Sequence, residues 1–489
     1  MSWFVQMYEK MRKAFDAGCY NQAAEIGELT ARTLMLSQVQ RYYYHEAMYK
    51  ILLMAGDWQS ACNHLEQVVA MSVDDELTIK RRCFFSEALI WLHIVPDLPD
   101  DVMFKMHSLY GKLYSDVRPY THSRKTKQQR KKIRIGYISP DFYEHIVTNF
   151  AVQLYAGYDR NRFEVHLYDI GNNRNEVTGW LQEMVDGWHD LQGLSGAEAA
   201  RRIYTDEIDI LVDLAGHTKK GATLQIMAFK PAPIQISGIG YFNTTGLPAM
   251  DYYLTDNYCD PPGNELYFTE KLIRLPDSHF CFTPSENVLQ CKKSWHLHSP
   301  VVFGSFSNFF KLNDAVLALW LEIMERVPDS RLLLKNVRRG KKELEKLEKR
   351  MRNMGFPMNR VELRQASQYY LDEYQDMDIA LDTFPYPGGG TTCEAIYMGI
   401  PVVSMYGGRH GSRFGYSLLK NMGLEELAVP NKEKYVETAV ALVKSPELLK
   451  GLHDNLCDMM KSSSVMNVKK YLNDIQSSYV KIYEKWLET

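Results

Sequence analysis

The sequence has little sulfur chemistry to offer. Its 489 residues hold eight cysteines, and no two stand in a C-x-x-C pair. That spacing argues against structural zinc and redox motifs and fits reduced thiols in a cytoplasmic protein. No stretch reaches the roughly 18 consecutive apolar residues of a membrane-spanning helix. The first residues, Met1 to Lys13, lack the basic start, apolar run and small-residue cleavage site of a signal peptide, so none is expected. A basic excess is missing too: 57 Lys plus Arg face 60 Asp plus Glu, for a net charge of −3. That balance argues against a dedicated nucleic-acid or membrane-surface binder. What is present is ordinary globular composition, 45% hydrophobic and 24% charged, in a chain long enough for several cores.

Periodicity divides the chain. Residues 1–122 read as all-helical, with Phe4, Met7, Met11 and Phe15 at helical spacing. A repeat is visible inside this region: Ala17-Gly18-Cys19-Tyr20 with Ala23 returns as Ala55-Gly56-Asp57-Trp58 with Ala61. Glycine suits the turn, and the small alanine suits close helix approach. A short tetratricopeptide-like arm is therefore expected, offering a groove to a polypeptide, with an ordinary helical bundle as the plainer alternative. Residues 123–132 form a basic linker, read as a solvated connection.

From Ile133 the pattern alternates between apolar strands and helices. Strands are expected at 133–139, 163–168, 208–214, 234–237 and 252–254. A second series runs through 301–306, 331–335, 361–363, 379–382 and 401–405. Each series implies a doubly wound parallel sheet covered on both faces. The predicted architecture is α/β: Rossmann-like domains at 133–290 and 300–489 face a cleft, joined within 282–299. Strand C-termini of both domains converge on that cleft, which is the natural ligand site.

The segment Asp382-Thr-Phe-Pro-Tyr-Pro-Gly-Gly-Gly-Thr-Thr-Cys-Glu carries the most chemistry. A strand ends, glycines including Gly389 and Gly390 make a loop, and Thr391 and Thr392 open a helix. Free N–H groups, a helix dipole and two hydroxyls suit a phosphate. The loop is neither a Walker A nor a G-x-G-x-x-G turn. Glu394 is placed to accept from ribose hydroxyls. Lys311 and Asn308 follow the first strand of the second domain, where a lysine reaches a diphosphate. In the first domain, His145 and His217 follow separate strands and should face the cleft, where imidazole can exchange protons or donate to a sugar hydroxyl. Asp141, the loop containing Thr245 and Gly246, and His410 are candidate acceptor or sugar contacts. Arg413 reads equally as an anion ligand or a helix-start residue. Asp376-Met-Asp378 matches an acidic metal-binding pattern, but it precedes a strand and reads as a solvated turn. No essential metal or cofactor is expected.

Several motifs together resemble the O-linked N-acetylglucosamine transferase family, glycosyltransferase family 41. They are Gly136-Tyr-Ile-Ser-Pro-Asp-Phe with His145, Asp209-Ile-Leu-Val-Asp-Leu-Ala-Gly-His-Thr, Pro231-Ala-Pro-Ile-Gln, Phe310-Lys311, and Asp378-Ile-Ala-Leu-Asp-Thr-Phe-Pro-Tyr with Gly-Gly-Thr-Thr-Cys-Glu-Ala. The likeness covers about residues 130–485 and is greatest to the SPINDLY-type branch. It implies a GT-B fold and inverting, metal-independent transfer from a nucleotide sugar to Ser or Thr of a protein. By position, Lys311 resembles the family lysine on the diphosphate, Thr391 and Thr392 the helix-end phosphate ligands, Glu394 the acidic ribose contact and His145 the cleft histidine. The resemblance leads with UDP-N-acetylglucosamine as donor. It leaves open GDP-fucose, UDP-glucose transfer to Asn or Cys, and a silent partner-binding scaffold. Gly390 departs from the animal members, which have a histidine there.

Overall fold

Among the described residues, the helical spacing of the first 122 is realised in six helices: α1 (Trp3–Asp16), α2 (Tyr20–Thr33), α3 (Gln38–Met54), α4 (Trp58–Ala70), α5 (Asp75–Leu92) and α6 (Asp100–Lys112). They are seen in a computed structural model that describes residues 3–72, 74–127, 130–291, 295–337, 340–368 and 370–488, with backbone alone at 125 and 126. The internal repeat has its expected geometry. Gly18 and Gly56 take left-handed φ of 78° and 87° in the α1–α2 and α3–α4 turns, where glycine carries no steric penalty. Ala23 and Ala61 are fully buried where those helices touch. Ser37 and Gln40 form a reciprocal capping box that starts α3.

The basic linker is less solvated than its composition implies. Lys127, in the short helix Arg124–Lys127, is buried, and its Nζ lies 2.6 Å from Asp209 Oδ1 and 2.9 Å from the Ile208 carbonyl. A buried carboxylate at the foot of a strand has taken one of the basic residues for itself. Two linker residues, 128 and 129, lie outside the described residues, as do 292–294 of the expected junction.

Among the described residues, two all-parallel sheets follow. The first is β3-β2-β1-β4-β5-β6-β7, from β1 (Ile133–Ser139), β2 (Phe163–Asp169), β3 (Gly187–Asp190), β4 (Ile210–Asp213), β5 (Ile234–Ser237), β6 (Tyr252–Asp256) and β7 (Lys271–Leu275). The second is β10-β9-β8-β11-β12-β13, from β8 (Val302–Ser307), β9 (Arg331–Asn336), β10 (Val361–Arg364), β11 (Ile379–Leu381), β12 (Val402–Met405) and β13 (Ala428–Val429). The short edge strands β3, β7 and β13 were not expected from the sequence. Half-exposed or two-residue edges carry too few apolar positions to stand out from loops.

Two cores hold these layers. One joins both sheets and the C-terminal helix Val468–Glu488, which returns to the first sheet so that Tyr137 donates to the Tyr479 hydroxyl at 3.4 Å. The other joins the arm to the opposite face of the first sheet, merging Phe85, Leu89 and Tyr110 with Ile138, Leu211 and Leu224. The arm is thus one packing unit with the first domain. Asp378 corrects an expectation. It is fully buried, and its carboxylate accepts from the backbone N–H groups of His298 (3.1 Å) and Val302 (2.7 Å). The carboxylate satisfies N–H groups at the start of β8, so it has no need of solvent.

Candidate active site

Strand β8 neighbours β11, so the segments after their C-terminal ends meet. Lys311 sits in the short 3-10 turn Phe309–Lys311 after β8. Its Nζ donates to the Pro387 carbonyl at 2.8 Å and lies 3.8 Å above the Tyr386 ring. Burial lowers its pKa to about 8, with the Asp382 carboxylate opposing that shift. Asp382, at the end of β11, accepts from Gly388 N at 2.7 Å, Thr383 N at 2.9 Å and Ser404 Oγ at 2.8 Å. Burial raises its pKa to about 6 against those donors. The glycine loop is correspondingly tight. A Cβ on Gly388 would lie 2.6 Å from the hydroxyl oxygens of both Thr391 and Thr392. Gly389 caps the helix Gly390–Tyr397, whose first N–H groups have no intrahelical partner. One ammonium, two hydroxyls and a helix N-terminus therefore share a corner, an arrangement that suits an anionic diphosphate.

Asn308 stands beside this corner, its Oδ1 accepting from Phe310 N at 3.3 Å. Glu394 is buried under it. Tyr370 donates to its Oε1 at 2.7 Å, and burial raises its pKa to about 7 in spite of the Tyr370 and Tyr374 hydroxyls. In this structure its carboxyl meets tyrosine hydroxyls.

The first domain closes over the loop. His145 caps the helix Ile146–Ala156, its Nδ1 accepting from Val147 N at 3.3 Å. With Nδ1 accepting, the neutral ring carries its proton on Nε2. Burial lowers the His145 pKa; Asp141 opposes and Lys219 adds to this. Its neighbour Ile146 reaches the second domain: a Cβ on Gly390 would lie 2.0 Å from Ile146 Cγ1 and Cδ1. Asp141 is 3% exposed and lies 3.8 Å from His145 Nδ1.

Other expected residues are not in this group. His217 follows β4 as expected but is fully buried against the arm, which corrects its expected exposure to the cleft. Its Nε2 donates to the Thr245 carbonyl at 2.8 Å and its Nδ1 accepts from Ser86 Oγ at 2.9 Å. With both nitrogens engaged, and its pKa pushed well below the ordinary value by burial, it positions the fold and has no free site for proton exchange. Thr245 is likewise buried, its N–H donating to Glu270 Oε1 at 2.8 Å. Gly246 faces the His107 carbonyl, 1.8 Å from where its Cβ would be. His410 is buried with Nδ1 2.6 Å from Asp260 Oδ2. Arg413 donates to the carbonyls of Tyr258 (2.7 Å) and Gly407 (2.9 Å).

Sequence reasoning passed over Asp382, Tyr370 and Tyr386. For Asp382 a signal existed, a lone carboxylate ending an apolar strand before glycines. Among the described residues, Asp256, Cys259 and His279 offer potential metal ligands within 4.8 Å of one another. The Asp256 carboxylate already accepts from Tyr258 N, Cys259 N, His279 N, His279 Nδ1 and Ser417 Oγ, so its lone pairs are taken.

Comparison with known proteins agrees with this architecture. The Glycosyl transferase family 41 model matches residues 115–283 and 282–475. The Arabidopsis thaliana protein named "Probable UDP-N-acetylglucosamine--peptide N-acetylglucosaminyltransferase SPINDLY" is 36% identical over 414 residues, 81% of this chain and 44% of that protein. Its tomato (Solanum lycopersicum) namesake is 34% identical over 416 residues, 82% of this chain and 44% of its own length. The chain thus spans less than half the length of these curated relatives. A lysine-to-methionine mutant of Thermobaculum terrenum O-GlcNAc transferase superposes with a TM-score of 0.79 at 26% identity, over 97% of this chain and 89% of that one. No helix among the described residues is long and apolar enough to cross a membrane. The chain belongs to glycosyl transferase family 41, in its SPINDLY-like branch.

Proposed function

We propose that the chain is an inverting, metal-independent protein O-glycosyltransferase that moves N-acetylglucosamine from UDP-N-acetylglucosamine to Ser or Thr of a cytoplasmic acceptor protein. The observation that carries this reading is the shared corner of Lys311, Gly388, Thr391 and Thr392. An acceptor Oγ attacks the anomeric carbon. The bond from that carbon to the β-phosphate oxygen breaks, and its electron pair stays on the phosphate. The hydroxyl proton passes to the departing diphosphate. Lys311 and the helix N–H groups stabilise the charge that grows there, which is where preorganised donors lower a barrier most. His145 orients the acceptor through its Nε2 proton. The arm and cleft bind the polypeptide; no nucleic acid is involved.

The names of the relatives support the donor, and the test is direct. The purified chain is incubated with a cell extract and UDP-N-acetylglucosamine, UDP-glucose or GDP-fucose, with and without chelator, and modified proteins are weighed intact. The added mass names the sugar. Addition of N-acetylhexosamine that survives the chelator is the expected result. A second reading, the same transfer from a guanine-linked donor, is decided by the same experiment; at position 390 Ile146 fills the space that a side chain would need. A fucose mass would select that reading.

A further inference from the structure

After β4 of the first domain, the backbone does something costly. Lys219, Lys220 and Gly221 follow one another in the left-handed region, with φ of 49°, 60° and 66°. Two of the three carry side chains that disfavour it. Such strain persists only where the surroundings over-determine it, and it gathers at functional sites.

The surroundings here come largely from the arm. Gly221 N donates to the His217 carbonyl at 3.2 Å. The His217 ring is held by Ser86 of α5 and by the Thr245 carbonyl. A Cβ on Gly221 would lie 2.3 Å from Ser86 Oγ and 2.9 Å from the Tyr110 hydroxyl of α6. Two arm helices thus press the turn into shape. The turn carries Lys219 to Asp141: its Nζ is 3.8 Å from Asp141 Oδ1, and its side chain is half exposed. That oxygen is buried and has no hydrogen-bond partner, while Oδ2 faces His145 Nδ1 at 3.8 Å. A buried carboxylate oxygen without a donor is expensive unless a ligand hydroxyl completes it.

We propose that Lys219 is a positioning residue of the transfer site: held by the arm-braced turn, its ammonium fixes Asp141 and His145 so that Asp141 Oδ1 accepts from a substrate hydroxyl. The inference rests on the transferase reading above. Among the described residues, the charged and titratable groups around the His145 ring are Asp141, Lys219 and the Tyr143 phenol, whose ring centroid is 5.3 Å away.

The test compares Lys219→Gly, Lys219→Met and Lys219→Arg in the full chain. Glycine suits the left-handed backbone, so Lys219→Gly removes the ammonium without loading the turn. Lys219→Gly and Lys219→Met are expected to lose about ten-fold or more in kcat with the donor KM within about two-fold. The acid limb of their pH–rate profile should move to higher pH, because the ammonium that opposes protonation of His145 is gone. Lys219→Arg should recover most of the rate. Wild-type rates and an unmoved profile in the Gly and Met variants would overturn the inference. So would a loss that tracks a fall in melting temperature and is not rescued by arginine. NMR titration of His145 separates this from the function itself. If the wild type transfers no sugar, the transferase reading fails, and an unmoved His145 titration in Lys219→Gly would still sink the coupling.

Discussion

Lys311 shows how much one residue's surroundings can decide. Its amine is lowered to about 8 by burial, so a growing share of it is neutral at mildly alkaline pH. A bound diphosphate would favour the charged form, and binding should therefore take up a proton. We expect UDP affinity to weaken as pH rises through about 8, and calorimetry in buffers of different ionisation enthalpy to register proton uptake there. Lys311→Ala should keep the wild-type fold, read by melting, and retain under about a tenth of the turnover, a barrier change above roughly 1.4 kcal/mol. Glu394 makes a stability prediction at the same scale. Its folded pKa is raised from 4.5 to about 7, so the folded chain keeps a proton that the unfolded chain has released. The stability from this group is fully present below about pH 4.5 and is lost as pH rises through about 7. Glu394→Gln should flatten the fall of melting temperature across that window, an effect on the order of 3 kcal/mol at most. Asp382, raised to about 6, acts in the same direction and leaves a residual slope.

At the scale of elements, the glycine loop and the helix Gly390–Tyr397 act as one part. Gly388 is pinned through its N–H by Asp382 and has no room for a Cβ between two threonine hydroxyls. Gly388→Ala should displace those hydroxyls and weaken UDP binding by about ten-fold or more, measured by calorimetry at a temperature well below melting, with a modest fall in melting temperature from the overpacked loop. Gly390→Ala meets Ile146 instead, so its defect should be relieved in the double variant with Ile146→Ala. This corner was legible in the sequence because parallel sheets follow a rule. A lysine after one strand and Gly-Thr-Thr after its neighbour must converge at the strands' C-terminal ends. The same rule located His145 and His217 but could not say what would cover them. His217 is sealed by Ser86, more than a hundred residues away in sequence, and His410 by Asp260. Partners at such separations leave no local mark. The left-handed turn at Lys219 was invisible for a related reason: only Gly221 marks it, and the force that sets it comes from α5 and α6.

For the whole molecule, the arm is the part whose role changes most between sequence and structure. Periodicity and the Gly18/Gly56 repeat identified it as a helical unit, which suggests an appendage that could be removed. Its core runs on into the first domain. Phe85, Leu89, Leu92 and Tyr110 share one apolar cluster with Ile138, Leu211, Leu224 and Met250 of the first domain. Polar contacts tie it further, through His107 Nε2 to the Tyr241 hydroxyl at 2.6 Å and through Ser86 to His217. It also reaches the second domain, where Asn313 Nδ2 donates to the Ile94 carbonyl at 3.2 Å and Arg409 pairs with Asp100 at 3.2 Å. Deleting residues 1–122 would bare the apolar face of the first sheet and strand His217, Tyr241 and Gly246 without their partners. Such a patch far exceeds what soluble domains expose. The 123–489 fragment should therefore be insoluble or bind hydrophobic dye without a cooperative melting transition. A soluble fragment that melts sharply and binds UDP as the full chain does would mean that the arm is separable, and that the turn bearing Lys219 is shaped by the first domain alone.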